Sequence, residues 1–336
     1  MDPRDAVEFA LEKLGCSQKE LALRLGVSPT QITKWKNGEY MSSAMESRVR
    51  ELTGIGEADP SVVRAAGTLE DATKWQALIV RIADMAIANS ETGYGCEPLE
   101  HPDEMLLSQT FDILKEMGVA IPTPFPKELE DDERKENDEI NENDEEEDYG
   151  KENPILENSC SALILRLFES YCDVWGFFHA YDLYDIILDD AVSDAAEDMG
   201  ADNIYDELMS LAATKIKVNI ELAPDFPEFA RKTRENFHTW LTDLKRAAIR
   251  AGVPLRAEVM DLLHCGHDQL ALKAEAEWLG ANDGQIHPDI YINELLVNMR
   301  IIRKILPAIM KKLGIDDVEE DRSELSLHGS GLASEE

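Results

Sequence analysis

Residues 17–38, SQKELALRLGVSPTQITKWKNG, decide how the chain begins to fold. The stretch reads as two short helices separated by a tight turn, with a start signal ahead of each. Ser17 with Glu20, and Ser28 with Gln31, have the spacing of capping boxes. Pro29 stands at the first helical position of the second helix, where its missing N–H is one the helix cannot use. Leu21, Ala22 and Leu25 give the first helix an apolar stripe, and Ile32 and Trp35 do so for the second. Gly26 and Gly38 suit the left-handed backbone that ends a helix, and Val27 is placed to plug the elbow. On one side, Val7, Ala10, Leu11 and Leu14 predict a preceding helix over residues 4–14. On the other, Ser43 and Glu46 have the spacing of a third capping box, and Met45, Val49 and Leu52 predict a helix that closes a small core near Thr53 and Gly54.

The combination of Gln18, Leu21, Ala22, Leu25, Gly26, Val27, Ser28, Ile32, Trp35 and Gly38 resembles the helix-turn-helix of the Cro/cI-type (XRE-like) bacterial and phage repressors. The resemblance covers roughly the first sixth of the chain, and the remainder resembles no family. It implies a second helix lying in the DNA major groove with its N-terminal residues at base edges. Carried over position by position, the implied base contacts are Thr30, Gln31, Thr33 and Lys34. The implied backbone contacts are Gln18, Lys19, Ser28, Lys36 and Asn37. Lys34 can donate to guanine O6 and N7, Gln31 can pair with adenine, and a threonine methyl can meet a thymine methyl. Gln18 matches the family's phosphate-reaching Gln. Pro29 departs from the pattern: it stands where family members often place a long polar base reader, which shifts readout toward Thr30 and Lys34.

Charge is divided unevenly. Residues 1–54 hold eight Lys/Arg against eight Asp/Glu, while the 336-residue chain carries a net −36. The acidic excess therefore lies entirely downstream, and such a body repels a phosphate backbone rather than binding it. It favours basic partners or cations instead. Cys16, Cys96, Cys160, Cys172 and Cys265 form no CxxC pair, which fits free thiols in a reducing cytoplasm. No signal peptide is visible in the charged N-terminus, and no apolar run approaches the roughly 20 residues of a membrane span. A cytoplasmic protein without membrane contact is expected.

The fold expected is all-α: a small helix-turn-helix head (1–54), a helical connecting segment (60–120), a Pro-bounded acidic disordered linker (121–152), a larger helical body (153–314) and a disordered acidic tail (315–336). Pro122, Pro124 and Pro126 break the helical pattern, and Glu128–Asp148 holds fourteen carboxylates against Arg134 and Lys135. Leu129 and Ile140 are too isolated there to build a core. That run serves as a tether or, alternatively, as a DNA mimic. The body opens with Leu163, Ile164, Leu167, Phe168, Tyr171, Trp175 and Phe178 at helical spacing, extended by Tyr181 and Tyr184. This reads as core before it reads as a ligand pocket. Near the end, Ile292, Leu295, Met299, Ile302, Leu306, Ile309 and Leu313 alternate steps of three and four. Packing within the body is the commoner meaning of such a stripe, particularly with Pro307 interrupting it; a dimer seam is the other.

Two constellations bear on catalysis. Asp182, Asp185 and Asp189 fall on one expected helix face, followed by Asp190, Asp194, Glu197 and Asp198. A Mg²⁺ site needs carboxylates converging from a second helix as well, so a solvated acidic face is the better reading. His264, Cys265 and His267 lack the second ligand pair of a zinc site and read as a helix end, with Asp268 capping the next helix. Without a G-x-S-x-G elbow, P-loop or G-x-G-x-x-G, the sequence gives no catalytic residues, cofactor or metal. The expectation is a repressor-like regulator that binds operator DNA as a homodimer. The alternative is an antitoxin-like or phage-defence protein whose acidic body grips a protein partner, with the head used for autoregulation.

Overall fold

The computed structural model describes residues 2–102, 104–130, 153–197, 207–281 and 292–314. Every regular element among them is helical. The head comprises α1 (Pro3–Leu14), α2 (Gln18–Leu25), α3 (Pro29–Lys36) and α4 (Ser43–Thr53). Its own small core gathers Ala6, Val7, Ala10, Leu21, Leu25, Ile32, Trp35 and Val49. The expected third capping box is absent. Ser42, not Ser43, is the N-cap and its side chain makes no cap bond, while Glu46 pairs with Arg50 at 3.5 Å. A start one residue earlier moves Ser43 into the helix and leaves Glu46 one turn from a cation, where it meets Arg50 instead.

Helix α1 has two apolar faces. Ala6, Val7 and Ala10 enter the head core, but Phe9, only 6% exposed, belongs to the core of the body. Beside it, Arg64 of α5 (Pro60–Ala66) reaches Asp5, Glu8 and Glu12 at 3.3, 2.9 and 3.0 Å. One guanidinium thus gathers three carboxylates spaced along a single face of α1. Three of the eight head carboxylates are held on the side turned to the body.

Residues 60–120, expected as a connection, supply the same core as the body. Helix α6 (Leu69–Asn89) buries Trp75, Leu78, Ile79 and Ile82. α7 (Glu97–Glu100) and α8 (Glu104–Glu116) follow, and Phe111 of α8 meets Trp75 edge-on at 5.6 Å. Phe125 meets the same indole edge-on at 5.1 Å, and Leu129 is 4% exposed. The first part of the expected linker is therefore packed on α6. Phe125 precedes and Leu129 ends a 3₁₀ turn, Lys127–Leu129, and both side chains are 4% exposed. The acidic run beyond Glu130 lies outside the described residues.

The body is built around α10 (Ser159–Ala180), which follows the short α9 (Pro154–Glu157) and is buried on nearly every side. A helix apolar all round must be covered all round. α6, α13 (Leu208–Ala213) and α16 (His267–Trp278) supply that cover. Gly176 sets the closest approach: a Cβ there would stand 2.7 Å from the buried side chain of Thr92. Outside this layer, α14 (Phe226–Ala251) buries Phe229, Phe237, Trp240, Leu241 and Leu244 and packs on α12 (Asp190–Glu197).

Two sequence expectations about the acidic and His/Cys constellations change here. Asp182 adopts a left-handed conformation (φ 57°), α11 (Leu183–Leu188) follows it, and Asp189 caps α12 by accepting from Ala191 and Val192 N–H at 2.9 and 3.1 Å. The carboxylates do not share one helix face because the chain breaks at both ends of α11. His264 ends α15 (Asp261–His264), whereas His267 opens α16 and bonds Asp173 of α10 through Nδ1 at 2.8 Å. Gly266, not Asp268, is the N-cap of α16, and its N–H donates to Gln269 Oε1 at 3.3 Å.

The Asp173 carboxylate raises the His267 pKa above its ordinary 6.5. Burial holds the Asp173 carboxyl above its usual range as well, so the net gain is smaller than the His267 change alone implies. A group raised on folding stabilises fully below its unfolded pKa and loses that contribution as pH rises through the folded one. His267→Gln is therefore expected to cost about 1 kcal/mol near pH 6, the scale of a hydrogen-bonded pair partly open to water. It should also flatten the fall in stability above pH 6.5, which urea unfolding across that range would read directly.

The last helix, α17 (Ile292–Leu313), runs without interruption through Pro307. Among the described residues no other helix packs along it. Its stripe is not body core: Leu295, Met299, Ile302, Leu306, Ile309 and Leu313 are 46 to 67% exposed.

Candidate nucleic-acid interface

The geometry of the head is set by three local devices. Ser17 caps α2 in a complete capping box: its N–H donates to Glu20 Oε2 at 2.8 Å, and its Oγ accepts from Glu20 N–H at 3.4 Å. Ser28 Oγ accepts from Gln31 N–H at 3.2 Å and starts α3. Between them Gly26 turns the chain at φ 70°, a conformation any side chain would strain. Val27 packs against the head core directly after the turn. Ile32 and Trp35 then seat α3, and Trp35 Nε1 donates to the Tyr40 carbonyl at 3.2 Å, tying the following loop to the helix.

Seated this way, α3 presents Thr30, Thr33, Lys34 and Asn37 outward, all exposed and spaced i, i+3, i+4 and i+7. They form one stripe along the helix. Gln31 and Lys36 flank it on opposite sides and are half-buried, so Gln31 is set apart from the other three base-contact candidates. Asn37, assigned to the backbone set, shares the stripe with them. Gln18 is half-buried at the start of α2, and Lys19 and Ser28 are exposed. Thr33 Oγ1 donates to the Pro29 carbonyl at 3.2 Å, which commits its proton and leaves the methyl as its outward chemistry. Lys34 Nζ sits 3.1 Å from Glu39 Oε2, with both side chains about half exposed.

Two basic residues escaped the sequence reading. The Arg48 guanidinium of α4 lies 3.8 Å from where a Cβ of Gly26 would stand, beside the turn that precedes α3. That of Arg4 lies 3.7 Å from the corresponding point at Gly38, at the far end of α3. The stripe is thus bracketed by cations supplied from α4 and α1. Nothing within residues 17–38 signals either residue, because packing between helices distant in sequence places them. Together with the withdrawal of Asp5, Glu8 and Glu12 toward Arg64, they give a head of zero formal charge an unequal distribution of that charge.

A metal centre is a separate matter. Among the described residues, Asp173, His267 and Asp268 bring three ligand atoms within 4.8 Å of one another. The Asp173–His267 contact is accounted for as the ion pair joining α10 to α16.

Residues 7–46 match a protein-family model described as Helix-turn-helix. The N-terminal domain is a helix-turn-helix of the XRE type, the kind of domain by which transcription regulators bind DNA. No curated protein and no solved structure matches the chain. No helix among the described residues is long and apolar enough to cross a membrane.

Proposed function

We propose that the protein is a sequence-specific, repressor-like transcription regulator that places two heads on the half-sites of an operator as a homodimer. The observation that carries this reading is the exposed stripe of Thr30, Thr33, Lys34 and Asn37 on an α3 seated by Ile32 and Trp35 within a helix-turn-helix. In this reading Thr30, Thr33 and Lys34 meet base edges, and Gln31 does so from the margin. Gln18, Lys19, Ser28, Lys36 and Asn37 fix the head on the phosphates, joined by Arg4 and Arg48 at the two ends of α3. A single head offers few phosphate contacts, so pairing raises apparent affinity by effective concentration. Residues 1–54 act as the reading unit, and the body receives the signal.

Lys34 must exchange Glu39 for DNA. Glu39→Gln is therefore expected to raise affinity for the preferred duplex about two- to five-fold, the scale of an exposed pair worth up to about 1 kcal/mol, and to change affinity for random duplex less. The gain should shrink as salt rises. An unchanged or lower affinity would remove Glu39 from the account. The function itself is tested by titrating the full chain onto its own upstream region and onto a scrambled duplex at one stated salt concentration. Selective binding supports the reading, and equal binding to both overturns it.

The protein-partner reading is favoured by Leu272 and Leu279, 64% and 63% exposed on and just after α16. It requires a basic partner that binds the acidic body with the head contacts intact.

A further inference from the structure

Helix α17 leaves its apolar side chains outside the body, and its sequence states what covers them. Leu295, Met299, Ile302, Leu306, Ile309 and Leu313 follow steps of four, three, four, three and four with no break, each at least 46% exposed. Ile305 adds a further 49%-exposed side chain beside the stripe. We propose that α17 associates in parallel with the same helix of other copies, and that the bundle has four strands, so that the protein is a tetramer holding two pairs of heads. The assembly inference extends the homodimer proposed above but does not depend on DNA being the ligand.

The placement of charge selects a second copy as the occupant. In the heptad frame fixed by the stripe, Met299, Leu306 and Leu313 take position a, and Leu295, Ile302 and Ile309 take position d. Arg300 then lies at b, and Lys304 and Lys311 at f, all on the outside of a bundle. The flanking contacts of a parallel pair set Asn298 against Arg303 of the second copy and Ile305 against its Met310. No like charges confront each other across the seam, although the helix is strongly basic. Pro307 falls at b, so the backbone bond it omits also lies on the outer side.

The number of strands follows from the same frame. Leucine at a with isoleucine at d, as in Leu306 with Ile309, shifts parallel coils away from two strands toward three or four. Ile305 and Met310 at the flanks widen the apolar face beyond what one partner helix covers; four strands cover both, while Arg303 and Lys312 at the other flanking positions lay their aliphatic stems along the bundle and keep their charged ends at its rim. An anionic membrane is the competing occupant for a basic amphipathic helix. Against it, the sequence directly after α17 carries Asp316, Asp317, Glu319, Glu320 and Asp321, which such a surface repels.

Light scattering on the full chain across a concentration series tests this. The expected mass is about 151 kDa, four times the chain mass of 37.7 kDa. The double substitution Ile302→Asp with Ile309→Asp should lower it by a factor of two to four. The thermal unfolding of the body should stay unchanged, since among the described residues no helix there packs along α17. An unsubstituted mass near two chains would overturn the four-strand bundle. A single-chain mass, or one the substitutions do not change, would overturn self-association through α17. So would a single-chain protein that cosediments with vesicles of equal phosphatidylcholine and phosphatidylserine, which would identify lipid as the occupant. Loss of selective DNA binding in a protein of the expected mass would strike the proposed function and leave this inference standing.

Discussion

Lys34→Ala is expected to lower affinity for the preferred duplex by about 1–3 kcal/mol, roughly 5- to 150-fold, while affinity for random duplex falls only slightly. The long side chain of Lys34 lies in the exposed stripe of α3, where the ammonium can reach guanine acceptors once it leaves Glu39. Lys36 provides the contrast. It is half-buried on the flank of the stripe, so Lys36→Ala should weaken binding to all duplexes alike and reduce the dependence on salt by about one counterion. Parallel titrations of the two variants on preferred and random duplex at several salt concentrations separate these roles. If both variants lose equally on both duplexes, α3 does not read bases through Lys34.

Trp75→Ala is expected to destabilise the protein by about 3–5 kcal/mol, the cost of emptying a fully buried aromatic site. Trp75 is 0% exposed and stands between the edge-on rings of Phe111 and Phe125. Its removal would therefore loosen α8 and residues 121–130 together. Trp75→Phe should cost much less, because the indole N–H has no acceptor among the described residues and its loss leaves no broken bond. Urea unfolding of both variants, followed by tryptophan-independent circular dichroism, measures the difference. A loss below about 1 kcal/mol for the alanine variant would show that residues 121–130 are not part of the cooperative core.

The head was legible in sequence because each of its signals is local. A cap, a left-handed glycine and an apolar stripe within 22 residues fix two helices and the angle between them. The docking of the head was not legible. Arg64 meets Asp5 and Glu12 across 59 and 52 residues of sequence, and the periodicity of α1 says only that Phe9 is apolar, not which of two cores it enters. Arg4 and Arg48 were missed for the same reason. Phe125 and Leu129 were hidden by composition: prolines on one side and carboxylates on the other suggest a solvated segment, although two well-spaced anchors suffice to pack it. The stripe of α17 is visible in the sequence as alternating steps of three and four. Periodicity does not say whether its cover comes from the same chain, and here the body leaves it uncovered.

Selection of duplexes from a fully randomised pool by the full-length protein, read by sequencing, asks whether the head reads sequence at all. The expected result is convergence on one motif with two related half-sites, their centres about one helical turn or a multiple of it apart. The Lys34→Ala protein should fail to enrich the same motif. A folded full-length protein that returns the starting pool unchanged would show that the head does not read sequence.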